Sequence, residues 1–154
     1  GDRWNAETGR CLDVDQITGE ELDVDTIASF APLVAGTSVD RTAQIVERLW
    51  SEHSAGHPDL AWAVPPSTAV TDPAFDPRAY WRGPQWAPMT WLVWWALARA
   101  GHTRSAHRLR ATAVAQLRAV GCCEYVDPIS GSPLGSDAQS WTAAVALDWL
   151  GHEP

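Results

Sequence analysis

Between Gln85 and Ala100 the chain carries Trp86, Trp91, Leu92, Trp94, Trp95 and Leu97, with Arg99 as its single charge. At 3.6 residues per turn these bulky side chains fall on more than one face. A helix that is apolar nearly all round has to be surrounded by other elements. The segment therefore predicts the interior member of a multi-helix assembly rather than a surface helix.

The rest of the pattern is also helical. Thr26 to Ala35 sets Ile27, Phe30, Leu33 and Val34 at helical spacing and meets Gly36 as a C-terminal cap. Ser38 is placed to cap a second helix with Val39, Ala43, Val46, Leu49 and Trp50. After Gly101, Thr103 is expected to cap a fourth helix that runs through Leu109, Ala113 and Leu117 to Val120. A last helix runs from Ser140 to Leu150 and packs Val145, Leu147, Trp149 and Leu150. Only residues 1–24 depart from this pattern. The turn signals Glu7-Thr8-Gly9 and Ile17-Thr18-Gly19 flank the alternating run Leu12-Asp13-Val14-Asp15, which suggests a short hairpin of strands. The expected fold class is all-α with a short N-terminal β-hairpin.

Two long segments interrupt the helices. Residues 54–84 hold Pro58, Pro65, Pro66, Pro73, Pro77 and Pro84 without helical period, and residues 121–138 are rich in Gly, Pro and Ser. Loops of such length in a compact domain are functional or disordered. The first contains Trp62, Phe75, Tyr80 and Trp81, which favours an ordered wall of a site. Helices paired by short outer turns, with long loops gathered at one end of a central axis, is the arrangement this alternation suggests.

Composition excludes several classes. A chain of 154 residues that is 45% hydrophobic is one domain's worth, with no apolar run of bilayer length. A net charge of −8, with no basic cluster, argues against nucleic acid as a partner. Every cationic side chain is arginine, read here as genome composition. Cys11, Cys122 and Cys123 are odd in number and the last two adjacent, so buried free thiols of a reducing, cytoplasmic compartment are expected. Pro58 and Gly56 break any helix that would align His53 with His57 on a metal, and Asp13, Asp15, Asp23 and Asp25 lack the spacing of a calcium loop. No metal or cofactor is expected. The chain opens at Gly1-Asp2-Arg3-Trp4, with neither an initiator methionine nor a leader, and reads as an internal start.

The chemistry concentrates in Tyr80-Trp81-Arg82-Gly83-Pro84-Gln85-Trp86, Glu124-Tyr125 and Ser140-Trp141. Aromatic faces pack on the apolar C–H faces of sugars while carboxylates and amides bond their hydroxyls. A glutamate in such surroundings is suited to acid–base work at a glycosidic bond. Trp91, Trp94 and Trp95 are read as core packing, whereas Trp81 and Trp86 bracket a Gly-Pro loop where a ligand can approach. Arg82 is read first as pinning a protein carboxylate and second as meeting a carboxylate on a substrate. Asp127, before Pro128, is read as setting a turn.

These motifs, with Val126-Asp127-Pro128, Gly131 and Thr142-Ala143 after them, resemble the C-terminal region of the six-hairpin glycosidases. Within that superfamily they are most similar to glycoside hydrolase family 63 and its glucosylglycerate and mannosylglycerate hydrolase branch. Trp4-Asn5-Ala6-Glu7-Thr8-Gly9 and Asp72-Pro73-Ala74-Phe75 also look like this branch. The resemblance covers nearly all of residues 1–154 and about the last third of a complete member. It implies part of an (α/α)6 toroid catalytic domain of twelve helices, of which this chain supplies five. It also implies an inverting α-glycosidase acting on a small sugar substrate, glucosylglycerate first, with no nucleic-acid or membrane partner; a homo-oligomer of the complete enzyme is left open. A mannosylglycerate or oligosaccharide α-glucosidase is the alternative, as is a carbohydrate-binding fragment without catalysis.

Residue by residue, the resemblance makes Glu124 the general base and sets Tyr80, Trp81, Gly83 and Trp86 around the sugar subsite. Gln139, where many relatives have an aromatic residue, would reach the sugar or the glycerate. An inverting site needs two carboxyl groups about 6.5–9.5 Å apart. The family's acid is an aspartate well upstream, and no matching motif occurs here. The isolated chain is therefore expected to be inactive, and apolar flanks of its first and third helices are expected to be bare.

Overall fold

The computed structural model describes residues 3–151. Each N-terminal turn signal makes its own hairpin, two where one was expected. β1 (Trp4–Asn5) pairs with β2 (Arg10–Cys11), and β3 (Asp13–Val14) pairs with β4 (Glu21–Leu22), both antiparallel. The reason is local. Asn5 Oδ1 accepts the N–H groups of Glu7 and Thr8 at 3.0 and 3.1 Å, and Asp15 Oδ1 those of Ile17 and Thr18 at 2.7 and 2.9 Å. Each side chain thus closes a turn independently.

A 3-10 turn over Ile27–Phe30 runs into the short helix α1 (Ala31–Ala35), which stops at Gly36. Ser38 caps α2 (Val39–Leu49) as expected, its Oγ accepting the Arg41 N–H at 3.4 Å. α3 (Ala87–Arg99) begins two residues later than the pattern suggested, because Gln85 is held in an antiparallel bridge to Val126. In α4 (Thr103–Val120) the capping position falls to His102, and no side chain bonds the first turn, so Thr103 is not the cap. α5 spans Ser140–Gly151.

α3 is the interior helix. It packs against α1, α4 and α5 and buries Val93, Trp94, Ala96 and Leu97. The core continues through Ile45 and Leu49 of α2, Ala106, Leu109 and Ala113 of α4, and Val145 and Trp149 of α5. Neighbours on three sides cover most of α3, so the bare apolar surface lies on α5 rather than on the first and third helices. Leu147 there is 74% exposed, with Leu150 and Trp141 also exposed. No described helix is long and apolar enough to cross a membrane. The three cysteines are thiols, but only Cys123 is buried.

The loop over residues 54–84 is ordered by polar anchoring. Buried Gln85 donates through Nε2 to the carbonyls of Val64 (2.6 Å) and Trp62 (3.1 Å), and its Oε1 accepts Gln116 Nε2 of α4 at 2.6 Å. Replacing Gln116 with Leu leaves the Gln85 carbonyl oxygen buried without that donor. The expected loss is about 1–3 kcal/mol, read from urea unfolding. An unchanged midpoint would show that the amide chain does not hold the loop.

Candidate active site

After α4 the chain turns into the hairpin of β5 (Tyr125–Val126) and β6 (Pro133–Leu134), with Tyr125 opposite Leu134. The bridge between Val126 and Gln85 sets this hairpin beside residues 80–86. The start of α5 fixes it from the other side. Thr142 Oγ1 donates to the Cys123 carbonyl at 2.8 Å, and Gln139 N–H donates to that of Cys122 at the same distance. Glu124 is thus carried on backbone anchored at three places.

The aromatic residues form one stack. Trp81 lies on Trp86 with centroids 4.1 Å apart and planes 10° apart, and Trp86 lies on Tyr125 at 4.8 Å and 25°. Tyr80 stands edge-on to Trp86 at 4.8 Å and to Tyr125 at 5.2 Å. Such pairs contribute about 0.5–1.5 kcal/mol each beyond area burial. Tyr80 and Trp81 are half exposed, whereas Trp86 is 1% exposed. Trp86 therefore backs the wall in this chain, with Trp81 and Tyr125 stacked on it.

Gly83 is held by a close backbone crossing. It is buried, and a Cβ there would lie 2.3 Å from the Asp76 carbonyl oxygen. The close backbone approach that requires glycine here is to the neighbouring turn. Arg82 is exposed, and its guanidinium makes no ion pair among the described residues. Trp94 is buried, and Trp91 and Trp95 pack against the core.

Both oxygens of half-buried Glu124 are held. The Tyr80 hydroxyl donates to Oε1, and the Ser136 N–H donates to Oε2 at 3.1 Å, while Glu124 N–H returns a bond to the Ser136 carbonyl at 2.7 Å. The bond to Glu124 raises the Tyr80 phenol above the usual tyrosine range, so Tyr80 stays a donor. Gln139 is half-buried at the α5 start, where its Oε1 accepts the Ser140 N–H at 3.0 Å. Gly135 and Ser136 are the site residues that sequence reasoning missed. A positive-φ glycine following a strand was their one available signal.

Asp127 sets the turn as expected, accepting the N–H groups of Ile129 (2.9 Å) and Ser130 (3.1 Å) and facing Arg78 at 3.5 Å. Burial pushes its carboxyl up, but the N–H groups of Ser130 and Ile129, with Arg78, outweigh it and hold the group below its usual range. That direction is opposite to what a general acid needs. A depressed carboxyl stabilises the fold fully above about pH 4, and the contribution is lost as pH falls through the lower folded value. Asp127→Asn is expected to lower the urea midpoint at pH 7 and to flatten its decline in acid. A parallel decline in both proteins would contradict this.

A cleft of about 700 Å³ lies elsewhere, between the first hairpin and α2, and is lined by Arg10, Asp23, Asp25, Arg48, His53 and Asp72. It is a network of ion pairs and side-chain hydrogen bonds, in which Arg48 binds Asp25 and His53 bonds Thr71. The aromatic wall beside Glu124 is half exposed at Tyr80 and Trp81. Among the described residues no group of three or more His, Cys, Asp or Glu is placed to hold a metal.

A helical scaffold that presents an aromatic wall beside a doubly held carboxylate is the architecture of a glycoside hydrolase. The chain belongs to the mannosylglycerate hydrolase MGH1-like glycoside hydrolase domain family, whose model matches residues 1–142. It is 43% identical to glucosylglycerate hydrolase of Mycolicibacterium hassiacum over 145 residues, covering 94% of this chain and 32% of that protein. It is 38% identical to mannosylglycerate hydrolase of Thermus thermophilus over 150 residues, covering 95% of this chain and 34% of that protein. The crystal structure of a GH63 mannosylglycerate hydrolase from Thermus thermophilus in complex with glucose superposes with a TM-score of 0.87 at 35% identity, over 96% of this chain and 36% of that one. The helices are thus part of an (α/α)6 toroid, and the chain spans about a third of the length of its relatives.

Proposed function

We propose that residues 1–154 form the base-bearing part of the catalytic domain of an inverting α-glycosidase that cleaves a small α-glucoside, glucosylglycerate. The observation that carries this is the Glu124 carboxylate, held by Tyr80 and Ser136 beside the exposed ring of Trp81. Glu124 takes a proton from water as the water oxygen bonds to the anomeric carbon. The bond from that carbon to the aglycone oxygen breaks, its electron pair stays on that oxygen, and a proton from an acid outside this chain neutralises it. Trp81 offers its face to the sugar ring, and Gln139, whose Oε1 is engaged at the helix start, offers its amide nitrogen to a sugar hydroxyl or to the glycerate. Three thiols suit a cytoplasmic setting.

The test is a chimera in which this chain replaces the matching third of the Mycolicibacterium hassiacum enzyme. It is expected to hydrolyse glucosylglycerate in preference to mannosylglycerate, with β-glucose as the first product anomer by NMR. The α-anomer appearing first would overturn inversion, and preference for mannosylglycerate would overturn the substrate. The isolated chain is expected to show no turnover of either compound, because Asp76 and Asp127 spend their carboxylates on turns.

A further inference from the structure

Tyr80 is half exposed in the aromatic wall, yet its hydroxyl is committed to Glu124. The ring has little freedom to move away. It is wedged edge-on against Trp86 and Tyr125, with Trp81 at 6.1 Å on a third side, and Trp86 is itself locked between Trp81 and Tyr125. On the other flank, Ser136 exchanges two backbone bonds with residue 124, one to its side chain and one from its N–H. A carboxylate gripped at each oxygen by a donor of fixed position cannot rotate about its last bond.

We propose that Tyr80 is a positioning residue for the base, and that with the Ser136 N–H it clamps the Glu124 carboxylate in one orientation before substrate arrives. This rests on Glu124 being the base. Each oxygen keeps a second lone pair, so the clamped group still accepts a proton from water. Pre-orientation matters because a base misplaced by about 1 Å can cost on the order of 10²-fold in rate. A sugar platform at Tyr80 would act on binding instead, and the two roles separate in the kinetics.

Tyr80 and Tyr125 are the only tyrosines in the sequence, which allows a direct test on the chain itself. With 13Cζ-labelled tyrosine, and Tyr125→Phe to assign the signals, Tyr80 should ionise above the ordinary tyrosine range. In Glu124→Gln it should ionise at lower pH than in the parent. A Tyr80 titration indifferent to Glu124→Gln would overturn the clamp, whatever the enzyme does.

In the chimera, Tyr80→Phe keeps the ring and is expected to lower kcat by about 10- to 100-fold with KM within about threefold. A raised KM with unchanged kcat would make Tyr80 a sugar wall and overturn the proposal. Turnover surviving in Glu124→Gln would remove the base and the catalytic meaning of the clamp together. An inactive Glu124→Gln beside an unaffected Tyr80→Phe would overturn the clamp alone.

Discussion

Glu124→Gln in the chimera is expected to lower kcat by about 10²- to 10⁴-fold, the range a general base contributes, with KM little changed. The amide matches the carboxylate in shape, and its oxygen can still accept a hydrogen bond from the Tyr80 hydroxyl or the Ser136 N–H, so the wall and the hairpin stay in place. What it loses is the capacity to take a proton from water. The ground-state binding proposed for Trp81 and Gln139 does not depend on that proton, which is why the loss is expected on kcat. Turnover within a few-fold of the parent would move the base to another residue. Added azide gives a second readout: an anionic nucleophile needs no base, so in Glu124→Gln it should restore glycerate release with β-glucosyl azide as the sugar product, and not in a variant that merely disturbs binding.

The second large effect is expected at Gly135. Its φ is +72°, a region that L side chains reach only with strain, and a Cβ there would lie 2.5 Å from Glu124 Oε2 and 2.7 Å from both Glu124 Cβ and Tyr125 Cε1. Gly135→Ala therefore adds a steric conflict to the left-handed penalty, at about 2–4 kcal/mol together. For a chain of this size that lowers Tm by roughly 5–15 °C, measured by circular dichroism. Gly101→Ala is the control, because Gly101 has a similar φ of +79° and nothing within 4 Å of its Cβ position. It should show the backbone penalty alone. Equal losses in the two variants would mean that the 135–136 loop does not press on Glu124. Because the displaced group is the proposed base, Gly135→Ala should also depress kcat in the chimera.

Much of the helical scaffold was legible from residue order. The apolar surround of residues 87–99, the serine before α2 and the glycine after α1 each act within a few residues, so period and capping chemistry locate them. The turn role of Asp127 was legible for the same reason, since its partners are two and three residues away. The misplaced details depended on contacts from afar. The start of α3 is delayed by a bridge to residue 126, and the bare apolar face lies on α5 because α3 has neighbours on three sides.

The candidate site divides along the same line. The aromatic residues and Glu124 could be picked out as types suited to sugar chemistry, and their spacing pointed to the family. Nothing in that spacing distinguished the ring that faces outward from the ring that backs it. Trp81 and Trp86 are five residues apart and alike in chemistry, yet one is half exposed and the other sealed between two rings. The need for glycine at residue 83 comes from a backbone crossing with Asp76 that the spacing does not reveal. The sequence by itself determined which chemical groups are present and which helices form, because side-chain type and local periodicity suffice for both. Only the tertiary structure decided how Glu124 is held, because the Tyr80 hydroxyl and the Ser136 N–H reach it from 44 residues before and 12 after, and such distant donors leave no period in the chain.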